Sequence, residues 1–204
     1  MNMSRKRRGS IELGIYDERV APGDHIAYFW ETEEEFAKAV HFLEVGIRAA
    51  DGIVVFGHKE ANKKVVKTLN ARGINCRRLQ REGRLAVISG KPTGAATLAG
   101  IGETFEKLTA SGGRLIRLLG NIGWGKAGWP KENDILEFEA NVTNAAKQYP
   151  CVVVCMYDVK LLSGRIMVHG ALETHPLTVC GNTMRENPYF VPVPEFLSKL
   201  KKIF

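Results

Sequence analysis

The residues best able to do chemistry are scattered along the chain as single histidines, carboxylates and aromatics. Tyr157 and Asp158 close the apolar run "CVVVCMYD" (151–158), so a phenol and a carboxylate end one predicted strand. His25 opens another, "HIAYFW" (25–30), which finishes at Trp30. His58 follows "GIVVFG", Asn121 follows "RLLG", and Trp124 and Trp129 flank the glycine-rich turn "GWGKAGWP". Glu139 falls four residues after Ile135 and three before Val142, on the helix face that turns inward. A carboxylate there requires a partner, because an unpaired buried charge is very costly. His25, His175 and Arg165 are the candidates. Side chains of these kinds suit the holding of a small organic molecule: rings cover an apolar ligand and a few hydrogen-bonding groups orient it.

The same residues do not spell out a reaction. His58, Cys155, Asp158 and His175 invite comparison with a hydrolase or a metal site. Yet the chain has no Gly-x-Ser-x-Gly, no His-Glu-x-x-His and no Cys-x-x-Cys. The expectation is therefore no catalytic residue, no metal ligand and no cofactor. The four cysteines, 76, 151, 155 and 180, read as buried small side chains in a reducing compartment. Cys151 and Cys155 share a strand and stand about 13 Å apart at strand rise, beyond the roughly 7 Å between Cα atoms that a disulfide spans.

The elements that must position these groups alternate along the chain. Strands are expected at 25–30, 52–57, 83–90, 113–120 and 151–158, with a short one at 177–181. Helices are expected at 32–50, 60–73, about 95–110, 132–147, 163–173 and 194–203, the last one basic, with "NTMRENPYF" as a loop. Thr32 and Glu35 form a capping box at the first helix, and Phe36, Val40, Leu43 and Ile47 make its inward stripe. Near-continuous apolar strands separated by helices predict a three-layer α/β fold, a mostly parallel sheet covered on both faces. In such sheets ligands bind beyond the carboxyl ends of the strands. That rule selects Trp30-Glu31, Gly57-His58, Ser89 to Lys91, Asn121 to Trp124, and Tyr157-Asp158.

The bulk numbers set the remaining bounds. With 204 residues, 45% of them hydrophobic, the chain fits one soluble domain over residues 19–204. Residues 1–18 read as a basic tail without fixed structure. Of the net charge of +7, four charges sit in Arg5, Lys6, Arg7 and Arg8. Such a cluster releases counterions from nucleic acid, but no aromatic residues are interleaved to stack on bases. No run reaches the roughly 18 apolar residues that cross a bilayer, and no apolar segment follows the basic start, so the expectation is a cytoplasmic protein with no membrane contact.

The turn after the first strand is the most telling segment. The layout "strand, helix ending FLEVGI, strand GIVVFG, helix, INCRRLQREGRLAVI" resembles that of RecA/KaiC-like ATPases. There the first turn would carry glycines, a lysine and a Ser/Thr around phosphate. Here it carries Trp30, Glu31, Thr32, Glu33, Glu34 and Glu35. Glutamates favour the helix N-terminus by about 0.3–1 kcal/mol each, and they repel a polyphosphate from it. Asn121, uncharged, stands where an acidic magnesium ligand would be needed.

Taken in order, "GDHIAYFWETEEE" (23–35), "GNIGWGKAGWP" (120–130), "LEFEAN" (136–141), "CMYDVKLLSG" (155–164), "THPLTVCG" (174–181) and "ENPYF" (186–190) resemble the MEDS family, the methanogen/methylotroph DcmR sensory domain. The resemblance covers about residues 20–190. It implies a RecA/KaiC-like fold without nucleotide chemistry, working as a sensory module for hydrocarbon derivatives. Members occur alone or fused to helix-turn-helix regulators or histidine-kinase-type domains, and this chain reads as a stand-alone member. One departure is Asn121, where the family usually has glutamate. The leading expectation is a non-catalytic sensor with ligand-facing His25, Trp30, His58, Asn121, Trp124, Trp129, Glu139, Tyr157, Asp158 and His175. Its partners would be a small molecule, a transcription regulator or histidine kinase, and a second copy of itself. The alternatives are a vestigial nucleotide binder using Lys91 and Lys126, and an interaction or DNA-tethering protein working through the basic tail and "LSKLKKIF".

Overall fold

The computed structural model describes residues 10–203, so Arg5, Lys6, Arg7 and Arg8 lie outside it. A small hairpin of β1 (Ile11–Glu12) and β2 (Arg19–Val20) comes first. Then follow β3 (His25–Trp30), α1 (Glu33–Arg48), β4 (Gly52–Gly57), α2 (Lys59–Ala71), α3 (Cys76–Arg81) and β5 (Leu85–Ile88). The second half holds α4 (Gly94–Ala110), β6 (Ile116–Asn121), α5 (Glu132–Ala146) and β7 (Cys151–Asp158). A π-helical segment (Ile166–Leu172), β8 (Leu177–Cys180), β9 (Thr183–Glu186) and α6 (Val193–Ile203) complete it.

Seven strands form one sheet in the order β5-β4-β6-β7-β3-β8-β9, parallel throughout except for the β8–β9 hairpin. The hairpin of β1 and β2, with α1, α2 and α3, packs on one face; α4, α5, the π-helical segment and α6 pack on the other. The fold is a three-layer α/β sandwich. Both faces are covered, which is why β4 and β7 are apolar at nearly every position rather than at every second one. Strand alternation still assigns each side chain a face. In β7, Val152, Val154 and Met156 point toward α1, whereas Cys151, Val153, Cys155 and Tyr157 point toward α5.

Four details differ from the sequence expectations. Residues 10–18 are not a loose tail: Leu13 and Ile15 are fully buried beneath α1. The strands of that hairpin have two residues each, too few to show a periodicity. The segment "NTMRENPYF" contributes β9, which covers the free edge of β8. The helix expected at 163–173 is π-helical over Ile166–Leu172, with the Glu173 N–H bonded to the Val168 carbonyl five residues back. Cys180 is exposed, unlike the buried Cys76, Cys151 and Cys155.

One charged group is built into the core of the first layer. Arg117 of β6 is buried, and its Nε donates to Asp51 Oδ2 at 2.8 Å. Its Nη1 donates to the carbonyls of Leu13 and Phe42, each at 3.3 Å. Gly46 makes room for it, since a Cβ there would stand 2.4 Å from Arg117 Cδ. The guanidinium thus ties the N-terminal hairpin, α1 and the sheet together.

Removing one member of a buried ion pair strands the other charge and costs about 3–5 kcal/mol. Asp51→Ala is expected to lower unfolding stability by that amount in urea titrations. Ile15→Ala is expected to cost about 2–5 kcal/mol, as for other buried aliphatic truncations. An unmoved midpoint for Ile15→Ala would mean the hairpin is not part of the cooperative unit.

Candidate functional site

Strand alternation and the inward stripe of α5 bring several polar side chains to one spot between the sheet and the second helical layer. His25 and Cys155 come from the adjacent strands β3 and β7, where Ala27 and Cys155 are register partners. Glu139 reaches down from α5, and His175 comes from the turn before β8. Glu139 and His175 are 0% exposed and His25 is 1% exposed, so the group is dry. The two imidazole rings lie 3.8 Å apart between centroids, and Tyr157 meets His175 edge-on at 5.6 Å.

The surrounding hydrogen bonds fix which ring nitrogen carries the proton. Thr143 donates its hydroxyl proton to the Thr174 carbonyl at 2.6 Å, so its oxygen accepts from His25 Nδ1 at 2.8 Å. His175 Nδ1 lies 2.9 Å from the Ala171 carbonyl, which can only accept. Both imidazoles therefore hold the proton on Nδ1 and turn a bare Nε2 inward. Tyr157 Oη lies 2.8 Å from Glu139 Oε1 and 2.7 Å from the Gly170 carbonyl. The Gly170 and Ala171 carbonyls belong to the end of the π-helical segment, where helical partners run out.

Burial sets the charge states. It pushes the Glu139 carboxyl up to about 8, outweighing the downward pull of the Tyr157 and Cys155 hydrogen bonds. It drives His175 down to about 3, and it drives His25 well below its usual value with help from His175. The Cys155 thiol and Tyr157 phenol are raised, first by burial and then by Glu139. His25 Nε2 and Glu139 Oε2 stand 3.6 Å apart, but as neutral groups they make no ion pair.

Cys155 also forms part of the wall of a cavity of about 640 Å³ between α4, α5 and the sheet. Its floor is apolar, with Phe56, Ile101, Phe105, Leu118, Phe138 and Val142. Exposed Glu103, Glu106, Asn144 and Gln148 stand at its rim.

The remaining expected site residues lie elsewhere. Asp158 does not converge with Tyr157: consecutive strand residues face opposite sides, and Asp158 accepts from the Lys160 N–H in the turn after β7. His58 caps α2, with Nδ1 accepting from the Ala61 N–H at 3.4 Å. Trp30 packs on Phe36 on the α1 face, with Lys64 Nζ 5.2 Å from its ring. Trp124 is buried against Gly170. Trp129 is seated on two glycines, where a Cβ at Gly90 or Gly123 would come within 2.8 or 2.4 Å of its indole. The turn between the two tryptophans is thus held at both ends by packed indoles. Asn121 is buried beside Gly57, and its Nδ2 has no protein partner. Arg165 pairs with Glu132 and Asn133 rather than with Glu139.

Thr143 and Thr174 carry no signal of their own, and Cys155, grouped with His58, Asp158 and His175 in the sequence, is supported there by no motif. A threonine within a helix and a threonine in a turn both read as structural. In the turn after β3, Glu35 Oε2 accepts the Glu31 and Thr32 N–H groups at 2.8 and 3.1 Å.

Comparison with known proteins gives the group a context. The chain is 25% identical over 158 residues to the transcriptional repressor DcmR of Methylorubrum extorquens; the shared stretch covers 76% of this chain and 59% of the repressor. The chain therefore spans less than two thirds of the length of that relative. The family model of MEDS, the MEthanogen/methylotroph, DcmR Sensory domain, matches residues 24–176. That span begins one residue before His25 and ends one after His175, so it takes in the whole buried cluster, and the chain belongs to the MEDS family of sensory domains.

Proposed function

We propose that the chain is a non-catalytic sensory module that binds a small, largely uncharged organic molecule in the cavity between α4, α5 and the sheet. The observation that carries this reading is the cavity itself: about 640 Å³, apolar at its floor, and large enough for a compact ligand. Hydrocarbon derivatives suit such a lining, with a hydroxyl or carbonyl directed to the polar rim. The expected location at the strand ends gives way to one beneath the helices. No helix among the described residues is long and apolar enough to cross a membrane.

The output runs to a regulatory protein, a transcription regulator or a histidine kinase. Membership of a sensory family and likeness to a transcriptional repressor support that direction. α5 lines the cavity, carries Glu139 and packs against α6, so a ligand that reseats α5 changes the surface beside it. Coupling of this kind is typically worth 1–3 kcal/mol. The terminal basic helix is committed to the core through Val193 and Phe196, which speaks for a signalling element over a DNA arm.

The test is a thermal-shift and tryptophan-fluorescence screen with short-chain alcohols, ketones and alkyl halides. A ligand at 100 times its Kd is expected to add about 2.7 kcal/mol of stability. Ile101→Trp, which fills the floor of the cavity, is expected to fold and to lose that stabilisation. Equal ligand stabilisation of the wild type and Ile101→Trp would place binding elsewhere. Micromolar binding of a nucleotide would replace the sensor reading with the nucleotide one.

A further inference from the structure

Among the described residues, one group of histidine, cysteine and carboxylate donors is close enough to share an ion: His25, Glu139, Cys155 and His175, with their ligand atoms all within 4.8 Å of one another. The shape of the group is specific. His25 Nε2 stands 3.4 Å from Cys155 Sγ and 3.6 Å from Glu139 Oε2. Glu139 Oε2 stands 3.7 Å from Cys155 Sγ and 3.9 Å from His175 Nε2. Bonds of about 2.0–2.3 Å to a tetrahedral zinc ion place neighbouring ligand atoms about 3.3–3.8 Å apart. The four measured edges fall in that window or just beyond it.

Hydrogen bonding alone does not account for the arrangement. His175 Nε2 is buried and has no hydrogen-bond partner. Glu139 Oε2 lies 3.9 Å from this nitrogen, and an unsatisfied polar atom in a dry interior is unfavourable. Two carbonyl-anchored or threonine-anchored imidazoles, both offering Nε2, match the way metal-binding histidines are held by an outer shell.

We propose that His25 Nε2, Glu139 Oε2, Cys155 Sγ and His175 Nε2 form a tetrahedral binding site for a divalent transition-metal ion, with zinc the best fit. Two neutral nitrogens, one sulfur and one oxygen are a borderline-soft set of the kind zinc takes. The charges balance, since a thiolate and a carboxylate cancel a dication and leave the buried site neutral. On loading, the Cys155 thiol and the Glu139 carboxyl each give up a proton to the buffer as the ion sheds its waters. Thr143, Thr174 and the Ala171 carbonyl are the positioning groups that keep both rings turned. The ion joins β3, from early in the chain, to α5, β7 and the turn before β8. The inference is independent of what occupies the cavity, although Cys155 belongs to both.

The experiment is titration of the full chain with cobalt(II) after dialysis against a chelator, followed by displacement with zinc. One cobalt per chain is expected, with the intense visible bands of tetrahedral coordination and a thiolate charge-transfer band. Zinc is expected to bleach both. Cys155→Ser is expected to abolish the charge-transfer band, and Cys180→Ser, which alters the exposed thiol, to leave it intact. Thr143→Val is expected to keep the one-to-one stoichiometry and weaken binding about 10–100-fold. Circular dichroism reports whether each variant folds. Failure of the folded wild-type chain to take up cobalt or zinc in stoichiometric amount overturns the proposal, as does an unchanged cobalt spectrum in folded Cys155→Ser.

Discussion

A carboxyl group cut off from water has to be answered by its surroundings, and Glu139 is such a group. Everything near it is arranged accordingly. Tyr157 and Cys155 reach its two oxygens, the histidines turn their unprotonated nitrogens toward it, and two threonines hold those rings in place. The irregular winding of residues 166–172 belongs to the same arrangement. Its last carbonyls serve as acceptors for Tyr157, Thr174 and His175 instead of continuing a helix. A single acidic side chain on the inner face of α5 thereby gathers groups from β3, β7 and the turn before β8.

The two faces of the sheet have divided the work. The face under α1 holds its own charged group, Arg117, but that group is satisfied by Asp51 and by two carbonyls, and it binds segments of the fold to each other. The face under α5 carries the polar cluster and the cavity. On the α1 side the turn that follows β3 is sealed by the Thr32–Glu35 capping box, which uses the amides a phosphate would need. Those amides are taken up within the chain, while the cavity lies on the other side of the sheet.

Much of the layer order was legible because buried parallel strands leave continuous apolar runs, and "GIVVFG" and "CVVVCMYD" are hard to mistake. Glu139 was legible for a different reason: a carboxylate on an inward helical stripe raises a question about its partner, and His25 and His175 were among the few candidates. The rest left no periodic trace. Cys155 is chemically suggestive but sits in no motif, Thr143 reads as an ordinary helical position, and Arg117 as a polar interruption in a strand. Their roles depend on what stands opposite them in space, which a single chain does not encode locally. The separation of Tyr157 from Asp158 could have been drawn from strand geometry alone, since adjacent residues cannot share a face.

The seating of Trp129 has a mechanical result. Its ring bears at once on Gly90, after β5, and on Gly123, after β6, with no room for a side chain at either place. Neither loop can drift while the indole stays, and neither keeps its contact once it leaves. One indole therefore acts as a shared wedge, a single side chain setting the spacing of two loops.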